Sequence, residues 1–257
     1  GTDVIAEKTV VSVEGYDPTR GEKVVAYANN FLDQFVPLDS ISHSSVTAYS
    51  IENGSLIAHT DNNQDHQLST PSQLCGFQGQ PESPSVVLLK NNHLHIEIVI
   101  DRANQIGASS RSGVCDIVLE SAITVIQDCE DSVAAVDGPD KTEVYRNWLG
   151  LMKGTLSTTV KKGAVSLQRR LNADRYYFAP DGTSFSLPGR ALMLVRNVGH
   201  LMTNPAILDD NGKEVFEGII DSVVTALIAL HDLNDSANRN SRAGAMYVVK
   251  PKMHGPE

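Results

Sequence analysis

The sequence predicts an α/β fold in which a module of antiparallel hairpins is embedded in a scaffold of parallel strands and helices. Residues 44–100 form short alternating runs separated by tight turns, which is typical of antiparallel strands. From residue 190 onward, apolar strands alternate with a helical pattern, which is typical of a parallel sheet. The chain has 257 residues, of which 41% are hydrophobic, so it can bury one large core or two smaller ones.

The first predicted element is an amphipathic helix over residues 19–36. We expect Thr19 to cap its first turn and Pro37 to end it. Its apolar side chains recur at the spacing of one helix face: Val24, Val25, Ala28, Phe31, Leu32 and Phe35.

The antiparallel module follows this helix. Hairpin turns are predicted at residues 52–54, "ENG", and at residues 91–92, "NN", because Asn and Gly favour tight turns. In the strand "LHIEIVI", the side chains of His95, Glu97 and Val99 share one face, and the apolar residues between them share the other. We expect the apolar face to be buried and the second face to be wet.

After residue 113 the pattern becomes that of the scaffold. We predict a helical stretch, the apolar strand "AITVIQD" at residues 122–128, a loop of acids and a long helix. A further hairpin turn is predicted at residues 180–182, "PDG". Beyond it we predict a strand at 191–196, a helix at 217–233 and a strand at 245–251.

Composition excludes several classes of protein. The net charge is −10 without any Lys/Arg-rich run, so a nucleic-acid surface is not expected. No apolar run approaches the roughly 20 residues of a membrane span, and the N-terminus lacks the pattern of a signal peptide. Cys75, Cys115 and Cys129 are widely spaced, which argues against a disulfide framework and for a reducing compartment. We therefore predict a cytoplasmic protein, and both chain ends are interpreted as cut from a longer one.

The motif "DCEDS", at residues 128–132, is the first candidate site. Asp128, Glu130 and Asp131 place three carboxylates within four positions, directly after a buried strand. Such crowding is unfavourable unless a positive group lies nearby or the acids are well solvated. One interpretation is a site for a divalent metal or a cationic ligand at the end of the strand. The other is a capping cluster for a helix that starts near Ser132.

Arg196 is the second candidate, since it follows the apolar run "ALMLV" at the end of its own strand. A guanidinium there needs a partner, and the acids of "DCEDS" are the obvious ones. It could polarise a carbonyl or stabilise an enolate oxygen, or it could form a structural ion pair. The residues alone leave both interpretations open.

Several long motifs resemble those of the malate synthase G family, and the resemblance extends over essentially the whole chain. They are "EGYDPTRGE", "LLKNNHLHIE", "VIQDCEDSVAAVD", "RNWLGLMKGTL", "RNVGHLMTNPAI" and "NSRAGAMYVVKPKMHGPE". The resemblance implies part of a TIM barrel with an inserted α+β module rich in antiparallel strands. The module would cover residues 1–120 and be completed by 155–190, while 121–154 and 191–257 would supply strand–helix segments of the barrel.

The resemblance also implies an activity. Malate synthases are transferases of the glyoxylate bypass that condense acetyl-CoA with glyoxylate and hydrolyse the product to malate and CoA. Mg²⁺ is the implied cofactor, and the complete enzyme is expected to be monomeric. No nucleic acid and no membrane is an expected partner.

Site residues follow from the same resemblance. Arg196 matches the catalytic arginine that binds glyoxylate and stabilises the enolate, and Ser132 and Arg169 match contacts to acetyl-CoA. Asp128, Glu130 and Asp131 match acids that line the site, of which at least one is expected to hold Mg²⁺ through water or to pair with Arg196.

The same resemblance implies that part of the active site lies outside this stretch. The family's direct metal ligands and its aspartate base lie downstream of "KPKMHGP", which places them beyond Glu257. We therefore expect no direct metal ligand among these 257 residues, and no turnover by this stretch alone.

Two other functions are consistent with the same residues. The chain could be a non-catalytic binding module that retains the scaffold, or another acyl-CoA carbon–carbon lyase on a related barrel. The stretches "RNVGHLM" and "VKPKMHGP" favour malate synthase over the second of these.

Overall fold

The computed structural model describes residues 17–120, 124–130, 135–163, 165–235 and 240–252. The chain divides into two compact units. Unit 1 comprises residues 1–121 and 176–187, and unit 2 comprises 122–175 and 188–257. Within the described ranges, no helix is long and apolar enough to cross a membrane.

The first described element of unit 1 is helix α1 (Pro18–Phe35), which confirms the predicted amphipathic helix. Its cap is Asp17 rather than Thr19, because the Asp17 carboxylate accepts hydrogen bonds from the backbone N–H groups of Thr19 and Arg20 at 3.0 and 3.2 Å. Pro18 suits the first helical position since it has no N–H to satisfy, and this places the cap one residue before it.

Two antiparallel sheets follow α1 among the described residues of unit 1. The smaller contains β1 (Ala48–Glu52), β2 (Ser55–His59) and β3 (Asp65–Gln67). The strands of the larger sheet are β4 (Leu74–Gln80), β5 (Ser83–Asn91), β6 (Leu94–Ile100), β7 (Val114–Leu119), β11 (Arg175–Phe178) and β12 (Ser184–Leu187). Their order in the sheet is β12-β11-β4-β5-β6-β7. A short helix, α2 (Gln105–Ser109), precedes β7.

The predicted hairpins are confirmed. Asn53 and Gly54 join β1 to β2 with φ of 51° and 78°, the positive values that a type I′ turn needs. The next turn uses Asn92 and His93, one residue later than predicted, because β5 continues to Asn91. The third turn joins β11 to β12 across residues 179–183.

Two predictions about this sheet are wrong. The stretch expected to be helical after residue 113 is strand β7, which pairs with β6 and places Ile117 opposite Ile98. The face of β6 expected to be wet is covered, since Glu97 is only 8% exposed and accepts a hydrogen bond from the Tyr177 hydroxyl. Tyr177 belongs to β11, so this cover comes from a distant part of the chain.

The described part of unit 2 contains three parallel strands: β8 (Thr124–Asp128), β13 (Leu192–Arg196) and β16 (Val248–Val249). Strand β13 lies between the other two. Helix α3 (Gly138–Met152) follows β8, and α4 (Glu217–Leu233) follows β13, as the sequence predicts. The described strands do not close into a barrel. Helix α3 is capped by Asp137, whereas the predicted start near Ser132 lies outside the described residues.

Two hairpins in unit 2 have no counterpart in the sequence predictions. Among the described strands, β9 (Ser157–Lys162) and β10 (Val165–Arg170) pair only with each other, as do β14 (Thr203–Leu208) and β15 (Glu214–Phe216). Of residues 155–190, which are predicted to complete the antiparallel module, 176–187 are grouped with unit 1; the predicted domain bounds stay a prediction. The β9–β10 hairpin is grouped with unit 2, and neither of its strands joins the six-stranded sheet.

Candidate functional site

Arg196 and Asp128 end two neighbouring parallel strands and lie opposite each other in the sheet. The Nε atom of Arg196 is 2.9 Å from Oδ1 of Asp128, and its Nη2 atom contacts Oδ2, so the pair is bidentate. This geometry fixes the plane of the guanidinium as well as its position. The arginine side chain stays 29% exposed, so a ligand can still reach it.

Glu130 extends this pair into a cluster of two carboxylates, Asp128 and Glu130, and two cations, Arg196 and Lys252. Its Oε2 atom is 3.2 Å from Nη2 of Arg196, and its Oε1 atom is 3.5 Å from Nζ of Lys252. The backbone N–H of Glu130 donates to Asp128 Oδ1 at 3.0 Å, which holds the two carboxylates side by side. The acids can crowd together here because the cations offset their mutual repulsion.

Beneath the cluster, Lys141 on α3 and Asp221 on α4 form a buried ion pair that the sequence did not reveal. Their Nζ and Oδ1 atoms are 2.9 Å apart, and the residues are 1% and 0% exposed. Lys141 also pairs with Glu217 at 2.5 Å, and the Tyr145 hydroxyl donates to Asp221 at 2.6 Å. The available signal was a charged residue on the otherwise buried face of α3 that carries Trp148 and Met152.

Cys129 lies between these two groups but is not a nucleophile. Burial, and then the negative charge of Asp221, raises the pKa of its thiol to about 12. The thiol is therefore protonated at neutral pH, and cysteine reactivity depends on the thiolate. Its side chain packs with Trp148 and Val195 in the core of unit 2.

The loop after β13 is held by further polar side chains, of which Asn197 is buried. The Asn197 side chain donates to Ser222 Oγ at 3.3 Å, and Lys250 Nζ donates to the Val198 carbonyl at 2.6 Å. A cavity of about 330 Å³ opens beside this loop. It is lined by His200, Phe216, Gly218, Ile219, Ser222, Val223 and Lys250.

The other predicted site residues are Arg169, Asp131 and Ser132. Arg169 lies on β10, a strand whose residues are all exposed, where it is opposite Thr158 of β9. Asp131 and Ser132 lie outside the described residues. The structure therefore brings together Arg196, Asp128 and Glu130 from the predicted set.

The described residues do not make a ligand set for a divalent metal. Among them, no group of three or more His, Cys, Asp and Glu side chains is arranged to hold an ion. The carboxylate of Asp128 pairs with Arg196, and that of Glu130 pairs with Arg196 and Lys252. The expectation that the direct metal ligands follow Glu257 concerns residues outside the described ranges, so it stays a prediction.

Two family models match the chain. Residues 16–91 match "Malate synthase G, alpha-beta insertion domain", and residues 192–257 match "Malate synthase, TIM barrel domain". Malate synthase G of Halalkalibacterium halodurans is 52% identical over 259 residues, which cover 100% of this chain and 36% of that protein. The malate synthases G of Corynebacterium efficiens and Corynebacterium glutamicum are each 49% identical over 243 residues, or 94% of this chain and 32% and 33% of theirs. The chain thus spans about a third of the length of the curated relatives it matches.

Proposed function

Because this chain belongs to the malate synthase G family, we propose that the protein containing it condenses acetyl-CoA with glyoxylate and releases malate and CoA. The observation that supports this best is the guanidinium of Arg196, held at the end of a parallel strand by Asp128 and still accessible. The ends of parallel strands are where α/β folds of this type carry their active sites.

The proposed reaction builds up negative charge that Arg196 can stabilise. A base removes a proton from the acetyl methyl group, and the electron pair of the C–H bond forms an enolate. The enolate carbon then bonds to the aldehyde carbon of glyoxylate, whose oxygen takes a proton, and water cleaves the thioester. An arginine stays charged throughout, so its N–H groups can bind the glyoxylate carboxylate and the enolate oxygen.

Ser132 and Arg169 are proposed contacts to acetyl-CoA. Arg169 is supported by its chemistry and exposure, since a guanidinium binds phosphate well and the side chains of β10 are accessible. Alternation along the hairpin puts Val160 and Leu167 on the same face as Arg169, which would give an apolar floor beside the charge.

Mg²⁺ is the proposed cofactor by family membership alone. No described residue is assigned as its ligand, and the role proposed for Arg196 does not depend on it. We further propose that the full-length protein acts in a glyoxylate pathway, is cytoplasmic and is monomeric. Sedimentation of the full-length protein tests the last of these.

Arg196→Lys in the full-length protein tests the proposed reaction. Lysine retains the charge but cannot bind a carboxylate in the bidentate manner. We expect kcat for glyoxylate-dependent CoA release to fall about 100- to 1000-fold, the usual loss for an oxyanion-stabilising group, or about 3–4 kcal/mol. The matched control is Arg146→Lys, which alters an exposed ion pair with Glu143 on α3 and should leave kcat within about twofold.

A kcat within about threefold of the unmodified protein would remove Arg196 from the chemistry. If the unmodified full-length protein releases no CoA in response to glyoxylate, the non-catalytic binding module becomes the better interpretation.

A further inference from the structure

The orientation of Arg196 depends on two loops that leave the parallel sheet side by side. One follows β8 and carries Glu130, and the other follows β13 directly after Arg196. Among the residues that the structure describes, one backbone hydrogen bond continues the sheet between them, from Cys129 N–H to the Arg196 carbonyl at 2.9 Å. No further backbone hydrogen bond between the described parts of the two loops sets the distance between them.

The Lys141–Asp221 ion pair connects these two loops from below. Lys141 Nζ donates to the Cys129 carbonyl at 2.6 Å, in the loop after β8. Asp221 Oδ2 accepts the Val198 N–H at 2.8 Å, in the loop after β13. Since Lys141 and Asp221 bind each other at 2.9 Å, one chain of contacts runs from Cys129 to Val198.

Burying the charges of Lys141 and Asp221 has a desolvation cost, so stabilisation alone does not account for this ion pair. Both residues are buried, and the desolvation of two charges can exceed their attraction, so apolar residues of similar volume would often stabilise a core as well. What apolar residues could not do is bind a carbonyl in one loop and an N–H in the other. Tyr145 and Glu217 complete the polar surroundings, so the two charges have defined partners.

We propose that Lys141 and Asp221 are positioning residues. Their ion pair fixes the two strand-end loops relative to each other and thereby holds the Arg196 guanidinium against Asp128, in the orientation that the condensation uses. Only the statement that the condensation uses this orientation rests on the proposed function. The coupling of the buried pair to the guanidinium can be tested without turnover.

Asp221→Asn is the informative variant because it changes only charge and hydrogen-bonding capacity. Asparagine has one acceptor oxygen and a donor NH₂ group, so it cannot serve Lys141, Tyr145 and the Val198 N–H together. In the full-length protein we expect kcat to fall about 10- to 100-fold, with the KM for acetyl-CoA within about threefold.

A double-mutant cycle separates positioning from general destabilisation. If Asp221 acts through Arg196, Asp221→Asn should change kcat by less than about threefold in the Arg196→Lys background. The matched control is Asp232→Asn, since Asp232 is also a buried acid on α4 and accepts a backbone N–H from Ser241 at 3.0 Å. Its effects should be on stability alone and independent of residue 196. Full additivity of Asp221→Asn and Arg196→Lys would overturn the proposal.

A second measurement needs no catalysis. In ¹⁵N-arginine-labelled protein, the Nε–H signal of Arg196 is identified by its loss in Arg196→Lys. We expect Asp221→Asn to speed hydrogen exchange at this Nε–H about tenfold or more. If the variant does not fold, Tyr145→Phe, which removes only the 2.6 Å hydrogen bond to Asp221, should give an increase of about threefold. Unchanged exchange in the folded variant would refute the coupling, even if the unmodified protein proved to have another activity.

Discussion

Replacing Asp128 by Asn preserves the size of the side chain and removes its negative charge. The introduced asparagine could still accept the Arg196 Nε–H through its oxygen, where the distance in the unmodified protein is 2.9 Å. Its NH₂ group, however, would face Nη2, which is also a donor, so one of the two hydrogen bonds is lost. The cluster of Arg196, Lys252, Asp128 and Glu130 would also change from formal neutrality to one net positive charge.

The size of the effect can be estimated from the geometry. A hydrogen bond between charged groups contributes about 1.5–3 kcal/mol, and partial exposure of 29% and 19% at the two side chains places this pair at the lower end. We expect the free energy of unfolding to fall by about 1–2 kcal/mol. Because the guanidinium would no longer be held in one plane, kcat for CoA release should fall about 10- to 100-fold.

The assay is glyoxylate-dependent CoA release by the full-length protein, together with urea unfolding of each variant. Asp209→Asn is the control, since it makes the same chemical change at an exposed turn of unit 2, where Asp209 accepts backbone N–H groups. A kcat for Asp128→Asn within about threefold of the unmodified protein would refute the reasoning, because Arg196 would then work without its bidentate partner.

Two further predictions concern other parts of the chain. Arg169→Ala should weaken acetyl-CoA binding about tenfold, as measured by titration calorimetry. The control is Arg170→Ala, on the opposite face of the same strand, which should leave the affinity unchanged. Equal affinities for the two variants would remove Arg169 from the site. Burial lowers the pKa of His43, whose ring nitrogens bond the Val36 carbonyl and the Tyr49 hydroxyl, so the unfolded chain takes up a proton at higher pH than the folded one. The free energy of unfolding of unit 1 should therefore decrease as the pH falls below about 6.5, which hydrogen exchange of α1 can measure. His43→Gln should remove this pH dependence, and finding the same dependence in both proteins would contradict the prediction.

Local periodicity is sufficient for much of the fold. Helices α1 and α4 follow from apolar residues at helical spacing, and the hairpin at Asn53 and Gly54 follows from residues that tolerate positive φ. The helix predicted in place of β7 is wrong because Val114, Ile117 and Val118 also fit the spacing of a helix face. Pairing with β6 decides the structure of this segment, and no local pattern contains that information.

Part of the candidate site could likewise be predicted from the sequence, and part could not. The pairing of Arg196 with the acids of "DCEDS" could be expected, because both lie directly after apolar strands that a parallel sheet brings together. The buried pair of Lys141 and Asp221 could not, since its members are 80 residues apart and each is a charged residue where the pattern predicts apolar ones. The β9–β10 hairpin could not be predicted either, because the alternation of Val165 and Leu167 with polar residues ends at Arg169, and the residues of β10 are exposed on both faces.

The six-stranded sheet of unit 1 also has a consequence for synthesis of the protein. Strands β11 and β12, which bring Tyr177 over Glu97, are translated roughly 55 residues after β7. At about 5–20 residues per second, the ribosome needs roughly 3–11 s to make that stretch. For this time the edge of β4 has no neighbour on that side, and Leu88 and Glu97 lack their cover. An unpaired strand edge and uncovered apolar side chains promote aggregation, so the nascent chain needs protection by chaperones during this interval.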